Sequence, residues 1–262
     1  MNTMQTALIR KDIHSITSNK RLFPVLVIVP LIMTVFIPSI FLLTIVLSPV
    51  GTDDFQSMVA LLPESMQQGD IKEMVISLML NNIIPLFFLL IPIMAASVMA
   101  ASSFVGEKEK QTLETLLYCP MTLRQIFQAK ILASFLLSMS VSLLSFLVMT
   151  IVVELELWFL MGTLILPSIN WLIMIVLVSP GASMIAITLI VQGSAKAQTI
   201  EESQQRSVFL ILPVFLLVVG QFSGLLLINV WILLGLGVIL AALALLLLKR
   251  SFRGFHYELL LK

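Results

Sequence analysis

The chain has 262 residues, of which 59% are hydrophobic and 11% are charged, whereas a soluble domain carries about 25% charged residues. This composition excludes a soluble globular protein, since no soluble core could bury so much apolar surface, and it predicts membrane insertion. The net charge of +1 gives no argument for nucleic acid as a partner. The single cysteine, Cys119, excludes an intrachain disulfide and a multi-cysteine metal site.

The apolar segments predict an all-α polytopic membrane protein with six transmembrane helices in a single domain covering residues 1–262. Each segment has roughly the 20 residues that a helix needs to cross the hydrocarbon layer of a bilayer. None of them contains Asp, Glu, Lys, Arg or His, as the high cost of intramembrane charge requires. The predicted spans are 22–47, 82–104, 131–153, 170–191, 208–228 and 231–248.

The placement of basic residues predicts the orientation of the spans. All Lys and Arg residues except Lys72 lie before span 1, between spans 2 and 3, between spans 4 and 5, or in the C-terminal tail. Cytoplasmic segments carry such an excess of basic residues. We therefore expect a multi-pass protein of the inner or plasma membrane with both termini in the cytoplasm and an external loop at 48–77.

The apolar stretch 157–166 is too short for a full span. An interfacial segment, a re-entrant segment and part of a span all fit its ten or so residues.

Sequence motifs for catalysis are absent from the chain. There is no Gly-rich phosphate-binding loop followed by Lys, and neither His14 nor His256 has a second His or Cys at ligand spacing. We therefore predict that the chain is not an enzyme and binds no metal. The intramembrane polar residues include Gln221 and Ser223, together with a row of serines on one face of span 3 that we interpret as a helix-packing surface. These serines are Ser134, Ser138, Ser142 and Ser145.

The loop 105–130 contains a short amphipathic pattern, because Leu113, Leu116 and Leu117 have helical spacing. Pro120 ends this pattern, and Thr122 with Gln125 has the form of a capping box that begins the next helix. A solvated connector does not need a leucine stripe. The stripe indicates either a docking surface for a partner or packing against the inner face of the protein itself.

The segment from Glu107 to Leu117, followed by Pro120 and Lys130, resembles the first cytoplasmic loop of type-2 ATP-binding-cassette (ABC) exporter permeases. In that family a glutamate, a basic residue, a second glutamate, any residue, glycine or threonine, and leucine precede a small coupling helix. Gln111 stands where many members of the family carry Arg or Lys followed by Gly. A basic amphipathic segment before span 1, six spans and a short basic tail also match the family's layout.

The resemblance implies a permease that pairs with a second permease copy or a paralogue and docks on cytosolic ABC ATPase subunits. ATP and Mg would bind in the partner ATPase, and this chain would carry no cofactor. The resemblance places the coupling helix at 111–118. The pattern of segment 6–20 by itself predicts an amphipathic helix on the inner leaflet. The resemblance gives this segment the role of a connecting helix. The residues it implies for coupling are Glu107, Glu109, Gln111, Thr112, Leu113, Glu114, Leu116, Leu117 and Tyr118.

Spans 2 and 5 line the central path in the family, so the resemblance makes Asn82, Gln221 and Ser223 candidates for the substrate path. The predicted function is ATP-driven export of an amphiphilic substrate such as a peptide, a drug or a lipid-like molecule. A different class also fits the sequence: a non-transporting scaffold, or an immunity or sensor protein that acts through its external loop. A secondary carrier is disfavoured because its coupling ion would need ionisable groups within the spans.

Overall fold

The computed structural model describes residues 3–20, 22–47, 71–109, 111–112, 120–194, 197–205, 208–222 and 229–254. Helices account for nearly all of these residues, and the described part contains no strand. The prediction of an all-α polytopic membrane fold is therefore confirmed. The helices are α1 (Thr3–Thr17), α2 (Leu22–Leu47), α3 (Ile71–Glu109), α4 (Leu123–Met161), α5 (Ile169–Ser194), α6 (Ile200–Gln205), α7 (Val208–Phe222) and α8 (Val230–Gly254).

Five of the described helices, α2, α3, α4, α5 and α8, are long and apolar enough to cross a membrane. The described part of the fifth predicted span, α7, is shorter, so six crossings remain a prediction. In the most apolar windows of α3 and α5, 78% and 67% of residues are buried, against 17% in α8. The helices α3 and α5 therefore form the centre of the bundle, and α2, α4 and α8 lie at its outside.

Two helices extend well beyond the predicted spans. The helix α3 begins at Ile71, so residues 71–77 are helical instead of belonging to the external loop, and it continues to Glu109. The helix α4 begins at Leu123, inside the predicted loop 105–130. Each has 39 residues, or about 58 Å at 1.5 Å per residue, nearly twice the hydrocarbon thickness of about 30 Å. Hydropathy marks only the lipid-immersed part of such a helix.

The stretch 157–166 is neither a re-entrant segment nor a separate span. Its first half continues α4 to Met161, where Gly162 ends the helix with a left-handed φ of 69°. Glycine adopts this conformation without steric strain. Residues 163–168 then connect α4 to α5 without regular secondary structure.

The start of α4 confirms the predicted capping box. The Thr122 side-chain oxygen accepts a hydrogen bond from the Gln125 backbone N–H at 3.3 Å, and the Thr122 N–H donates to Gln125 Oε1 at 3.0 Å. Two backbone donors of the first turn are thereby satisfied.

The row of serines on α4 is a packing surface, as the sequence predicted. None of the four is more than 3% exposed. The hydroxyl groups of Ser134 and Ser142 donate to the carbonyls of Lys130 and Ser138 within the same helix. Because the hydroxyl groups of Ser134, Ser138 and Ser142 are satisfied within α4, these small side chains allow α4 to pack closely against its neighbours.

The N-terminal half of α3 contains an irregularity that α5 compensates. A π-helical turn spans Met79–Ile83, and Pro85, which has no N–H, follows it. Both features remove regular donors from backbone carbonyls. Trp171 Nε1 donates to the Leu80 carbonyl at 2.9 Å, and Asn170 Nδ2 donates to the Asn81 carbonyl at 3.1 Å. Side chains of α5 therefore satisfy the carbonyls that α3 leaves free.

The Trp171→Phe substitution tests this compensation. It removes the indole donor and leaves a buried carbonyl without its partner, so we expect a loss of about 2 kcal/mol of stability. The measurement is the thermal unfolding of the purified protein in detergent. Trp158→Phe is the matched control, because Trp158 is 58% exposed and its replacement should leave the transition unchanged. An equal effect of both substitutions would contradict the compensation.

Candidate functional site

The N-terminal helix α1 packs along the extended start of α4. Its apolar residues Leu8 and Ile9 are buried against Ile126, Ala129 and Ala133 of α4. The amphipathic pattern of α1 therefore has a protein surface as its partner. The position of this helix on the inner leaflet stays a prediction, and its residues Leu8 and Ile9 are covered by α4, which begins before span 3.

Lys130 of α4 is the centre of a buried charge cluster. The residue is 3% exposed, and its Nζ lies 2.9 Å from Glu107 Oε2 of α3 and 3.5 Å from Asp12 Oδ2 of α1. It also donates to the Ser103 carbonyl at 2.6 Å. The ammonium group further lies 5.6 Å from the centroid of the Phe104 ring, within the range of a cation–π interaction.

The two carboxylates of the cluster have further donors. Ser103 Oγ donates to Asp12 Oδ2 at 2.7 Å, and Lys11 Nζ donates to Glu107 Oε1 at 2.8 Å. Asp12 and Glu107 are 5% and 8% exposed. Since buried charges are tolerated only when they are paired and hydrogen-bonded, two acidic and two basic side chains at these distances form a self-neutralised set. We name this set, Lys11, Asp12, Glu107 and Lys130 with Ser103, the charge cluster.

The end of α3 turns sharply into the following loop. Gln111 has a φ of 54°, the only positive φ of a non-glycine residue in the described part of the chain. Its N–H donates to the Lys108 carbonyl at 3.1 Å, and the Thr112 N–H donates to the Glu107 carbonyl at 2.9 Å. This pair of bonds is the Schellman motif, which ends many helices. The turn directs the chain out of α3 immediately after the charge cluster.

The predicted coupling residues fall into three groups. Glu107 is buried in the charge cluster, whereas Gln111 and Thr112 are exposed. Glu109 is also exposed, and its Oε2 accepts a hydrogen bond from the Ile200 N–H of α6 at 3.4 Å. The other predicted residues lie outside the described part of the chain: Leu113, Glu114, Leu116, Leu117 and Tyr118.

The short helix α6 packs against the end of α3, which the sequence analysis did not anticipate. A Cβ at Gly106 would lie 3.5 Å from the Ile200 side chain, an ordinary contact distance. Thr199 caps α6 by accepting from the Glu202 N–H at 3.2 Å. The segments between spans 2 and 3 and between spans 4 and 5 therefore meet at α3.

Of the predicted path residues, Asn82 lies within the π-helical turn of α3. Asn82 Oδ1 is 3.4 Å from Asn170 Nδ2 of α5. Gln221 is 8% exposed, and no donor of the described residues reaches its Oε1. Its helix, α7, contacts α3 at the π-helical turn and beyond it. Ser223 lies outside the described residues.

Sequence reasoning missed Lys11, Asp12, Ser103 and Lys130 as a group. Lys130 was counted among the basic residues between spans 2 and 3 and in the loop motif, but not as the partner of a buried carboxylate. A signal was nevertheless present in α1, because Asp12 occupies the same helical face as Leu8 and Ile16, and all three are buried. An acidic residue on an apolar face predicts a buried basic partner.

The apolar helices and the charge cluster at the ends of α3 and α4 define a polytopic membrane protein with a structured polar region outside its spans. A family model described as "ABC-2 family transporter protein" matches residues 6–244, from α1 into α8. The chain belongs to this family and is a type-2 ABC transporter permease. Membership implies association with separate ABC ATPase subunits. No curated protein and no solved structure matches the chain.

Replacing the central cation tests the energetics of the charge cluster. Lys130→Met leaves two buried carboxylates without their shared partner, and we expect it to destabilise the protein by about 3 kcal/mol. The matched control is Lys11→Met, because the Lys11 side chain is 56% exposed and Glu107 retains Lys130. Its cost should stay below about 1 kcal/mol. Thermal unfolding in detergent measures both, and equal losses would contradict the buried pairing.

The turn at Gln111 generates a second prediction. Gln111→Gly relieves the strain of a side chain in the left-handed region, so we expect about 1 kcal/mol of added stability. Thr112→Gly is the neighbouring control and should lower stability, because it adds freedom to the unfolded chain and removes the hydrogen bond from Thr112 Oγ1 to the Glu107 carbonyl at 3.3 Å. The same unfolding measurement checks both, and a destabilising Gln111→Gly would argue against the left-handed turn.

Proposed function

We propose that this permease exports an amphiphilic substrate, such as a peptide, a drug or a lipid-like molecule, out of the cytoplasm. Two cytosolic ATPase subunits, which bind ATP and Mg, would drive it, and a second copy of the chain or a paralogue would complete the membrane unit. The observation that carries this proposal is the charge cluster, which links the two helices on either side of the predicted coupling loop.

The geometry around residues 110–122 suits a loop that receives force. The loop leaves α3 through the turn at Gln111 and enters α4 through the capping box at Thr122. Just beyond these two points, Glu107 and Lys130 form an ion pair at 2.9 Å. A partner that pushes on the leucine stripe of the loop would therefore act on the ends of α3 and α4 together.

The chemistry of the spans favours an amphiphilic substrate. None of the predicted spans contains Asp, Glu, Lys, Arg or His, so an inorganic ion would find no compensating charge within them. Amides such as Asn82 and the buried Gln221 offer neutral hydrogen-bonding groups in apolar surroundings. We assign Asn82, Gln221 and Ser223 to the substrate path on this basis and by the family's layout.

The orientation is part of the same proposal. Docking of cytosolic ATPases requires the loop after α3 to face the cytoplasm, which also places α1 and the C-terminal tail inside. The concentration of basic residues in these segments supports that arrangement in the cell membrane.

The docking surface is tested by replacing Leu113, Leu116 and Leu117 together with Asp. Burying three carboxylates in an apolar contact is strongly unfavourable, so we expect the ATPase subunit no longer to co-purify and permease-stimulated ATP turnover to fall at least about tenfold. The measurements are affinity purification of the tagged permease from its native membrane and ATP hydrolysis by the purified complex. Replacing the same leucines with Met, which keeps the surface apolar, is the matched control.

Two outcomes would redirect the interpretation. Retained co-purification and turnover in the Asp variant would contradict docking through the leucine stripe. Activity that needs no ATPase, and that disappears when residues 51–70 are deleted, would instead favour a scaffold or sensor acting through its external loop.

A further inference from the structure

We propose that Asp12, Glu107 and Lys130 are positioning residues that join α1, and through it α2, to the coupling loop. A displacement of the loop would then move α2 together with α3 and α4. This inference rests on the proposed function. It identifies how a motion of the loop reaches α2, which is not adjacent to the loop in the sequence.

The first step is the link between α1 and both helices that border the loop. Asp12 Oδ2 accepts from Ser103 Oγ of α3 at 2.7 Å and lies 3.5 Å from Lys130 Nζ of α4. Lys11 adds a second contact with α3 through Glu107 at 2.8 Å. Charge-assisted hydrogen bonds constrain both distance and direction, so α1 resists sliding along the ends of α3 and α4.

The second step is the short connection from α1 to α2. The helix α1 ends at Thr17 and α2 begins at Leu22. Asn19 closes the gap, because its Oδ1 accepts from the Leu22 N–H at 3.2 Å and its carbonyl accepts from the Phe23 N–H at 3.0 Å. With so little free chain between them, a movement of α1 is passed to α2.

The third step concerns what α2 can do with this movement. Pro30 and Pro38 lie inside α2 and are buried on the face that packs on its neighbours. Prolines remove helical hydrogen bonds and are the usual positions at which helices bend. The helix α2 packs mainly on α4, so a push at its cytoplasmic end can tilt or bend it against the central bundle.

Stability alone does not require the charges. Replacing a whole set of buried charges by neutral side chains of similar size is often harmless to folding, whereas removing one charge is costly. The variant with Asp12→Asn, Glu107→Gln and Lys130→Met keeps the shapes and removes every buried charge of the cluster. It therefore separates a role in folding from a role in transmitting motion.

The experiment uses the full chain, with Cys119→Ser as background, purified with its ATPase subunit and labelled with spin probes. One label pair joins α2 and α8 at Val25 and Leu246, which are 55% and 65% exposed. A second pair joins α4 and α8 at Leu136 and Leu246, with Leu136 44% exposed. Distances are measured without nucleotide and with ATP, Mg and vanadate.

With the charge cluster intact, we expect nucleotide to change both distances. In the triple neutral variant the α4–α8 change should persist, the α2–α8 change should be lost, and stimulated ATP turnover should fall about tenfold. The unfolding midpoint and ATPase co-purification should match those of the unaltered chain. Arg10→Gln, which removes an exposed charge of α1 outside the cluster, should leave both distance changes intact.

An α2–α8 change that persists in the triple variant overturns the proposal. Loss of both changes, with the ATPase still bound, also overturns it, because a general structural defect would then explain the result. If the triple variant fails to fold, Asp12→Asn alone replaces it and should reduce only the α2–α8 change. If no ATPase co-purifies even with the unaltered chain, the proposed function fails first and this inference falls with it.

Discussion

The need to neutralise a buried lysine organises the cytoplasmic part of this permease, as we assign its orientation. Lys130 lies on a helix that extends beyond its apolar span, and at 3% exposure its charge has almost no contact with solvent. An ammonium group in that position requires carboxylates, and it obtains one from α3 and one from α1. The pairing lies where α1, α3 and α4 meet, just before the turn at Gln111 by which the chain leaves α3.

Buried backbone carbonyls also require hydrogen-bond partners, and this requirement determines the contacts at the opposite end of α3. A π-helical turn and a proline leave carbonyls without helical donors, and α5 supplies the missing donors through Trp171 and Asn170. Further along the same contact, Ser183 Oγ of α5 donates to the Pro92 carbonyl of α3 at 3.4 Å. These hydrogen bonds join the two central helices at specific positions, which restricts how α3 and α5 can slide past each other.

These two regions lie at opposite ends of α3, and each joins α3 to neighbouring helices. At one end, Glu107 and Lys130 join α3 and α4 on either side of the loop that we propose as the docking site of the ATPase subunits. At the other end, Asn82 and the helix that carries Gln221 lie by the irregular turn of α3. Because α3 extends from one region to the other, it is the helix through which a movement of the loop can reach the proposed substrate path.

The sequence by itself determined the class of this protein. Hydropathy and helical spacing are local properties, and they correctly predicted an all-α membrane protein, the capping box at Thr122 and the packing face of serines on α4. The loop motif also indicated the family that the comparison confirmed. Only the tertiary structure decided where the long helices end, which surface covers α1, and which charges meet. Lys11 and Glu107, for example, lie 96 positions apart, and no local pattern records a pairing over that separation. Polar groups far apart in the chain become partners only when the helices pack, because burial is what makes leaving them unpaired costly.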